Sequence, residues 1–182
     1  MTHYYIGIAA SSEEPSSSLI EKSREFIDSI SEYNGLLRIV LGGYWGLMKY
    51  IADYSVEKGF DVILVLPEQP RVEPPRRDRF YIIRCELGYR SRSIVLVKTS
   101  DLLVCMGGRV GSILEVMLAY SFGKPVIVFR DTGLDTDRLE NCFREYIDER
   151  RLSRIYYVSS GVEAGGLVAN ILGLVKHRNM LC

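Results

Sequence analysis

The 182-residue sequence predicts one α/β domain with a mostly parallel central sheet and helices on both faces. Strand-like and helix-like segments alternate along the chain, which is typical of strands joined by crossover helices. Several strand-like runs are short and continuously apolar, as expected of strands covered on both faces. Two of these runs end in glycine turns, and such sheets bind ligands outside the carboxyl ends of their strands.

The first half of the chain predicts four strands and three helices. The strands span residues 4–10, 36–41, 60–66 and 80–85. Ser18 and Glu21 have capping-box spacing, which predicts a helix over residues 19–32. Two further helices are predicted over residues 47–58 and 89–99.

The second half predicts three more strands, over residues 102–106, 126–129 and 155–158. A helix over 112–122 ends where Gly123 and Pro125 stop it. Asp137 is placed to cap a helix that reaches about residue 147. Ser160 and Glu163 predict the start of a final helix that ends near residue 176.

The composition indicates a single globular domain over residues 1–182, with 47% hydrophobic and 25% charged residues. Lys and Arg together equal Asp and Glu at 23 each, so charge gives no case for nucleic acid or an anionic membrane. No apolar run approaches the roughly 20 residues of a membrane helix, and no signal peptide is recognisable. The four cysteines form no metal-binding pattern, which predicts reduced thiols in the cytoplasm and no metal site. We also expect no bound cofactor.

Residues 100–115 form the central stretch of the prediction: a buried strand, a glycine turn and the start of a helix. Gly107, Gly108 and Gly111 allow a tight turn or a close approach to a ligand. Free N–H groups and the dipole at a helix N-terminus favour an anion, so the turn predicts a phosphate site. The alternative is that these glycines serve packing alone.

Three charged residues lie at helix starts on the same predicted edge of the sheet. Arg90 and Arg92 oppose the helix dipole there, which an anionic ligand or a carboxylate partner would explain; the alternative is tolerated exposure. Glu115 lies three residues after Ser112, so it either closes a capping box or places a carboxylate beside the phosphate turn. In the second case it could stabilise an oxocarbenium-like sugar or activate water for N-glycoside cleavage.

Two motifs resemble those of the Lonely Guy family. Residues 41–48 (LGGYWGLM) resemble its GGGxxGxM, and residues 107–115 (GGRVGSILE) resemble its PGGxGTxxE. Arg92 stands where the family has its catalytic arginine, and Gly-Lys-Pro follows at residues 123–125. The resemblance covers roughly residues 6–175 and is nearest to small prokaryotic relatives grouped with molybdenum-cofactor carrier proteins. It implies a three-layer Rossmann-like fold and a homodimer.

Lonely Guy enzymes release a free base and ribose 5-phosphate from a nucleoside monophosphate. The resemblance therefore implies that Arg92 and Glu115 are catalytic. It implies that a nucleotide-like phosphorylated ligand is bound by Gly42, Gly43, Gly46, Gly107, Gly108, Arg109, Gly111 and Ser112. Arg109 replaces a motif glycine and could either contact the phosphate or block the site. Two functions therefore stay open: a phosphoribohydrolase, or a non-catalytic carrier or sensor of a nucleotide or molybdopterin-type cofactor.

Overall fold

The fold contains one parallel sheet of seven strands in the order β4-β3-β2-β1-β5-β6-β7. We describe residues 3–85 and 88–174 of a computed structural model. The strands are β1 Tyr4–Ala9, β2 Leu37–Leu41, β3 Asp61–Leu66, β4 Phe80–Arg84, β5 Leu102–Cys105, β6 Val126–Phe129 and β7 Ile155–Val158. This architecture confirms the predicted α/β fold with a parallel central sheet.

Helices cover both faces of the sheet. In the described ranges they are α1 Ser17–Ser29, α2 Leu47–Glu57, α3 Tyr89–Thr99, α4 Val110–Ser121, α5 Leu139–Cys142 and α6 Gly161–Ile171, with 3-10 turns at Ser31–Tyr33 and Asp135–Arg138. None of these helices is long and apolar enough to span a bilayer.

Strand β1 lies at the centre and reverses the direction in which the sheet grows. It pairs with β2 on one side and with β5 on the other, so Ile6 is in register with both Ile39 and Leu102. The chain builds β2, β3 and β4 outward, then returns past β1 to start the other half with β5. Such a reversal leaves a crevice at the carboxyl ends of the two central strands.

Alternate residues of β1 and β5 supply two separate cores. Ile6 and Ile8 pack into the core that includes Phe26 of α1, and Ala9 and Leu103 belong to the other core, which includes α3 and α4 residues. All four residues of β5 are buried, as its continuous apolar run predicts. The edge strand β4 is exposed over most of its length.

The predicted bounds of α1 and α5 are wrong, and local hydrogen bonds explain where α1 begins and why Asp137 starts no helix. Helix α1 is capped by Ser16, whose Oγ accepts from the Leu19 N–H, so the helix begins before Ser18. Asp137 begins no long helix; its carboxylate accepts from the N–H groups of Thr132 and Gly133 and closes that loop instead. Helix α5 consequently has four residues and ends at Cys142.

Helices α4 and α6 also depart from the predicted bounds. Helix α4 begins at Val110, two residues before the predicted start at Ser112. At α6, Ser160 caps the Glu163 N–H as predicted, although the Glu163 carboxylate accepts from Ser159. The predicted end near residue 176 lies outside the described residues.

Candidate functional site

A cavity of about 300 Å³ opens at the carboxyl ends of the central strands. Its walls come from the loops after β1, β2, β3 and β5 and from the first turns of α3 and α4. Four arginines and two glutamates line it: Arg71, Arg90, Arg92, Arg109, Glu13 and Glu115. The excess of cationic side chains favours an anionic ligand.

The glycine turn after β5 leaves backbone donors free at the start of α4. The first helical hydrogen bond runs from the Ile113 N–H to the Arg109 carbonyl, and the helix has no side-chain cap. The N–H groups of Val110, Gly111 and Ser112 therefore have no acceptor among the described residues, and all three residues line the cavity. A Cβ added at Gly111 would meet nothing within 4 Å. This is the arrangement in which helix N-termini bind anions.

Gly107 and Gly108 shape this turn from the side of the 130–137 loop. Gly107 has φ +99°, and a Cβ there would lie 2.9 Å from the Thr132 Cβ. The Gly108 N–H donates to Thr136 Oγ1 at 3.1 Å, and the Gly108 carbonyl accepts from the Thr136 N–H at 3.1 Å. The Gly108 N–H is thus already paired, whereas the Arg109 N–H that follows it has no acceptor among the described residues.

The glycine turn after β2 leaves space that neighbouring side chains and backbone occupy. Gly42 lines the cavity, and a Cβ there would lie 3.0 Å from the Arg92 Cζ. A Cβ at Gly43 would lie 2.3 Å from the Trp45 ring. Gly46 has φ +55°, and its Cβ would come within 2.5 Å of the Ser12 carbonyl carbon. The absent side chains therefore make room for Arg92, Trp45 and the loop after β1.

Arg92 and Glu115 meet inside the cavity, although they come from different helices. Arg92 is 8% exposed and Glu115 is 6% exposed. The Arg92 Nη2 and the Glu115 Oε1 are 3.9 Å apart, whereas Ser93 Oγ–H donates to the same Oε1 at 2.9 Å. Arg92 Nη1 also donates to the Gly42 carbonyl. The guanidinium is therefore fixed by α3, the β2 turn and a carboxylate at the limit of ion-pair distance.

The Arg92 guanidinium also lies beside two aromatic rings. Its Cζ is 5.8 Å from the Trp45 ring centre and 5.7 Å from that of Tyr89. Its Nε is buried and has no hydrogen-bond partner in the described part of the chain. A buried, unpaired donor is costly, so a ligand atom that accepted from it would be favoured.

Burial shifts the pKa of both charged groups toward the neutral form. Desolvation raises the pKa of Glu115, although Arg92 and the hydrogen bond from Ser93 lower it in part. Desolvation also lowers the pKa of Arg92, against the attraction of Glu115. The mutual attraction therefore falls short of the burial cost, and perturbed pairs of this kind are concentrated at functional sites.

The capping box predicted for Ser112 and Glu115 is wrong. Ser112 is the third residue of α4, so its N–H is not the group that Glu115 would cap. The Glu115 carboxylate instead accepts from Ser93 of α3. The common edge predicted for Arg92 and Glu115 matches their positions, and Gly42, Arg109, Gly111 and Ser112 line the same cavity.

Several residues that line the cavity were not predicted from the sequence to belong to the site, and they include Glu13, Trp45, Arg71 and Ser93. Glu13 pairs with Arg109 at 3.1 Å and so connects the loop after β1 to the phosphate turn. Trp45 lies within the β2 glycine turn, and Ser93 directly follows Arg92, so both had a local signal. Arg71 lies in a Pro- and Arg-rich loop that reads as surface.

The family follows from a match of residues 3–164 to the model of the SLOG cluster4 family. The chain belongs to this family. An uncharacterised protein of Archaeoglobus fulgidus is 31% identical to this SLOG cluster4 chain over 88 residues. That alignment covers 48% of this chain and 56% of the relative, so the chain spans just over half the length of the curated relative it matches.

Solved structures share the fold of this SLOG cluster4 chain over nearly their whole length. The structural genomics target TM1055 is 26% identical, with a TM-score of 0.80, covering 92% of this chain and 99% of that one. The molybdenum cofactor binding protein of Rippkaea orientalis is 21% identical, with a TM-score of 0.75 over 94% and 99% of the two chains. A molybdenum cofactor carrier protein of Chlamydomonas reinhardtii is 20% identical, with a TM-score of 0.71 over 94% and 99%. These matches confirm the resemblance noted from the motifs.

Proposed function

We propose that the cavity binds a phosphorylated, nucleotide-like small molecule, with its phosphate on the N–H groups of Val110, Gly111 and Ser112. The free donors, the helix dipole and the excess of arginine support this assignment. In this scheme Arg109 adds positive charge beside the phosphate, and Gly107 and Gly108 hold the turn in shape. Gly42, Gly43 and Gly46 act through the side chains and the loop that they make room for.

We further propose that Arg92 and Glu115 cleave the N-glycosidic bond of this ligand. The observation that carries this proposal is the buried Arg92–Glu115 pair, which lines the cavity without capping a helix. Hydrolysis breaks the bond between the sugar C1′ and the base nitrogen and forms one from C1′ to a water oxygen. Glu115 takes a proton from that water or stabilises the positive charge at C1′, and the leaving base gains a proton. Arg92 favours the ionised carboxylate, against the effect of burial, and orients the ligand.

A second candidate function is carriage of a phosphorylated cofactor without chemistry. Arg109 stands at a motif position that is glycine in Lonely Guy enzymes. It forms an ion pair with Glu13, and both residues line the cavity. The solved proteins from Rippkaea orientalis and Chlamydomonas reinhardtii, described as binding or carrying molybdenum cofactor, have the same fold. Both functions need the phosphate site, and the first alone needs Glu115 as a reactive group.

The phosphate site is tested by Gly111→Val. A Cβ at this position meets nothing within 4 Å, so the variant should fold, but its side chain enters the cavity beside the free donors. We expect the affinity for nucleoside monophosphates, measured by calorimetry, to fall about tenfold or more. Gly166→Val in α6 is the matched control, because a Cβ at that exposed helical glycine also meets nothing within 4 Å. Equal affinity in the two variants would contradict the site.

The chemistry is tested by screening nucleoside monophosphates for release of the free base. A hydrolase releases base, and Glu115→Gln keeps most of the binding while turnover falls by about 10²–10⁴-fold. Binding without release from any nucleotide tested would favour the carrier. Release that survives Glu115→Gln would refute the role of the carboxylate. The homodimer that we propose from the family resemblance is tested separately by light scattering during gel filtration.

A further inference from the structure

One of the four arginines that line the cavity lies on its β3 side, away from the phosphate turn. Arg71 lines the cavity from the loop after β3, whereas Arg109 and the free N–H groups follow β5. The strand order β3-β2-β1-β5 places three strand intervals between them. At about 4.8 Å per interval, the two ends are roughly 14 Å apart along the edge of the sheet.

Contacts on both sides of Arg71 fix its loop at the cavity rim. The Tyr89 hydroxyl, whose ring lines the cavity, donates to the Gln69 carbonyl at 2.8 Å. Two residues beyond Arg71, the Glu73 carboxylate accepts two hydrogen bonds from the Arg84 guanidinium, at 3.2 and 2.7 Å. The loop is therefore tied to α3 on one side of Arg71 and to β4 on the other.

Arg71 has no ion pair with any residue that the structure describes. Arg90 of the same cavity also has no ion pair among the described residues, whereas Arg84 pairs with Glu73, Arg77 pairs with Asp53, and Arg109 pairs with Glu13. An arginine held at a cavity rim with its guanidinium unpaired can bind a planar or tetrahedral anion with two parallel hydrogen bonds.

The space between the two cationic ends suits a flat ring system. Trp45 and Tyr89 contact each other edge to face, with ring centres 6.1 Å apart, and both line the cavity with Met48. Aromatic and thioether groups bind heterocycles through their faces and edges. A molecule that spans the cavity therefore meets Arg109 at one end, the aromatic rings with the Arg92 guanidinium beside them, and Arg71 at the other end.

We propose that the ligand is acidic at both ends and that Arg71 binds its second anionic group. The ligand class is a phosphorylated heterocycle with a carboxylate, phosphate or other oxyanion on the ring edge remote from the phosphate. This inference rests on the proposed phosphate site at Gly111, and it assigns Arg71 to selecting the ligand rather than to the reaction. It holds equally for the hydrolase and for the carrier.

The test compares adenosine 5′-monophosphate with adenylosuccinate, which carries two extra carboxylates on the purine edge remote from its phosphate. We expect wild type to bind adenylosuccinate about tenfold more tightly, and Arg71→Gln to remove this gain while leaving the affinity for adenosine monophosphate within about twofold. Arg138→Gln is the matched control: it removes the same charge from a side chain that is 83% exposed and lies outside the cavity. It should leave both affinities unchanged.

A third probe, an adenosine monophosphate with a phosphonate on the same arm, identifies the anion that Arg71 prefers. The proposal is supported if wild type binds either extended nucleotide more tightly than adenosine monophosphate and Arg71→Gln abolishes that gain in affinity. Binding of adenosine monophosphate with no gain from either arm overturns it and leaves the phosphate site standing. A gain that persists in Arg71→Gln also overturns it. If none of the three probes binds wild type, the phosphate site itself fails, together with the proposed function.

Discussion

The substitution Glu115→Gln separates two physical descriptions of the buried pair with Arg92. Breaking a buried ion pair by removing one partner usually costs about 3–5 kcal/mol of stability. Here the Nη2–Oε1 distance is 3.9 Å, and the closer contact of the carboxylate is the 2.9 Å hydrogen bond from Ser93. Glutamine keeps an oxygen at that position and can still accept from Ser93. We therefore expect Glu115→Gln to be at least as stable as wild type at neutral pH.

The raised pKa of Glu115 determines which of the two proteins is more stable and over which pH range they differ. A carboxyl whose pKa is higher in the folded state favours folding when protonated, below its ordinary value of 4.5. That contribution is lost as the pH rises through the folded-state pKa, because the charged form is then buried. Each unit of the rise corresponds to about 1.4 kcal/mol. Glutamine has no such dependence, so the advantage of the variant should be absent near pH 4.5 and should grow as the pH rises through the folded-state pKa of Glu115.

Urea unfolding at several pH values measures this difference, with Trp45 as the reporter because it is the one tryptophan of the chain. Its ring lies beside Arg92, so its emission also reports on the cavity. Glu145→Gln is the control, since Glu145 forms an exposed pair with Arg154 and should change stability by less than about 1 kcal/mol. A loss of 3–5 kcal/mol in Glu115→Gln at pH 7 would refute the reasoning and identify a structural salt bridge.

Two further substitutions test the turns around the cavity. Thr136→Val leaves the buried Gly108 N–H without its acceptor, so the free energy of unfolding in urea should fall by about 1–3 kcal/mol and nucleotide binding should weaken. Thr136→Ser should restore both. A Val variant as stable as wild type would contradict the contact. Gly46→Ala places a Cβ 2.5 Å from the Ser12 backbone at a φ of +55°, so the free energy of unfolding should fall by about 2 kcal/mol or more in thermal unfolding. An unchanged melting temperature would show that the turn can rearrange.

The strands of the sheet could be predicted from the sequence because they are short apolar runs that end at residues such as proline or glycine. Pro67 and Gly123 lie close to where β3 and α4 end, and β5 is buried along its whole length, as its composition predicts. Helix ends are harder, because several side chains near each end can cap. Ser16 and Ser18 compete for the start of α1, and Asp137 binds a loop rather than a helix. These choices depend on tertiary neighbours that a local pattern does not contain.

The site could be predicted in part for the same reason. Arg92 and Glu115 lie at helix starts on one edge, so topology alone brings them together. The choice between a cap and a cavity role for Glu115 depended on Ser93, which is 22 residues away and accounts for the close contact. The hydrogen bond from the Gly108 N–H to Thr136 joins residues that are 28 positions apart, so it likewise could not be predicted from the local sequence. Both contacts are set by how α3 and the 130–137 loop pack against α4.

The central position of β1 also sets the order in which the cavity is completed. Residues up to 99 supply β1 to β4, Trp45 and Arg92, but one edge of β1 stays without a partner until β5 pairs with it. The chain emerges from the ribosome amino end first, so the nascent first half exposes that edge and has neither Glu115 nor the phosphate turn. The phosphate site is therefore incomplete until both halves have docked, and we expect the ligand to stabilise mainly the finished protein. At a hundred times its dissociation constant it would add about 2.7 kcal/mol to folding, which couples survival of newly made chains to the ligand supply.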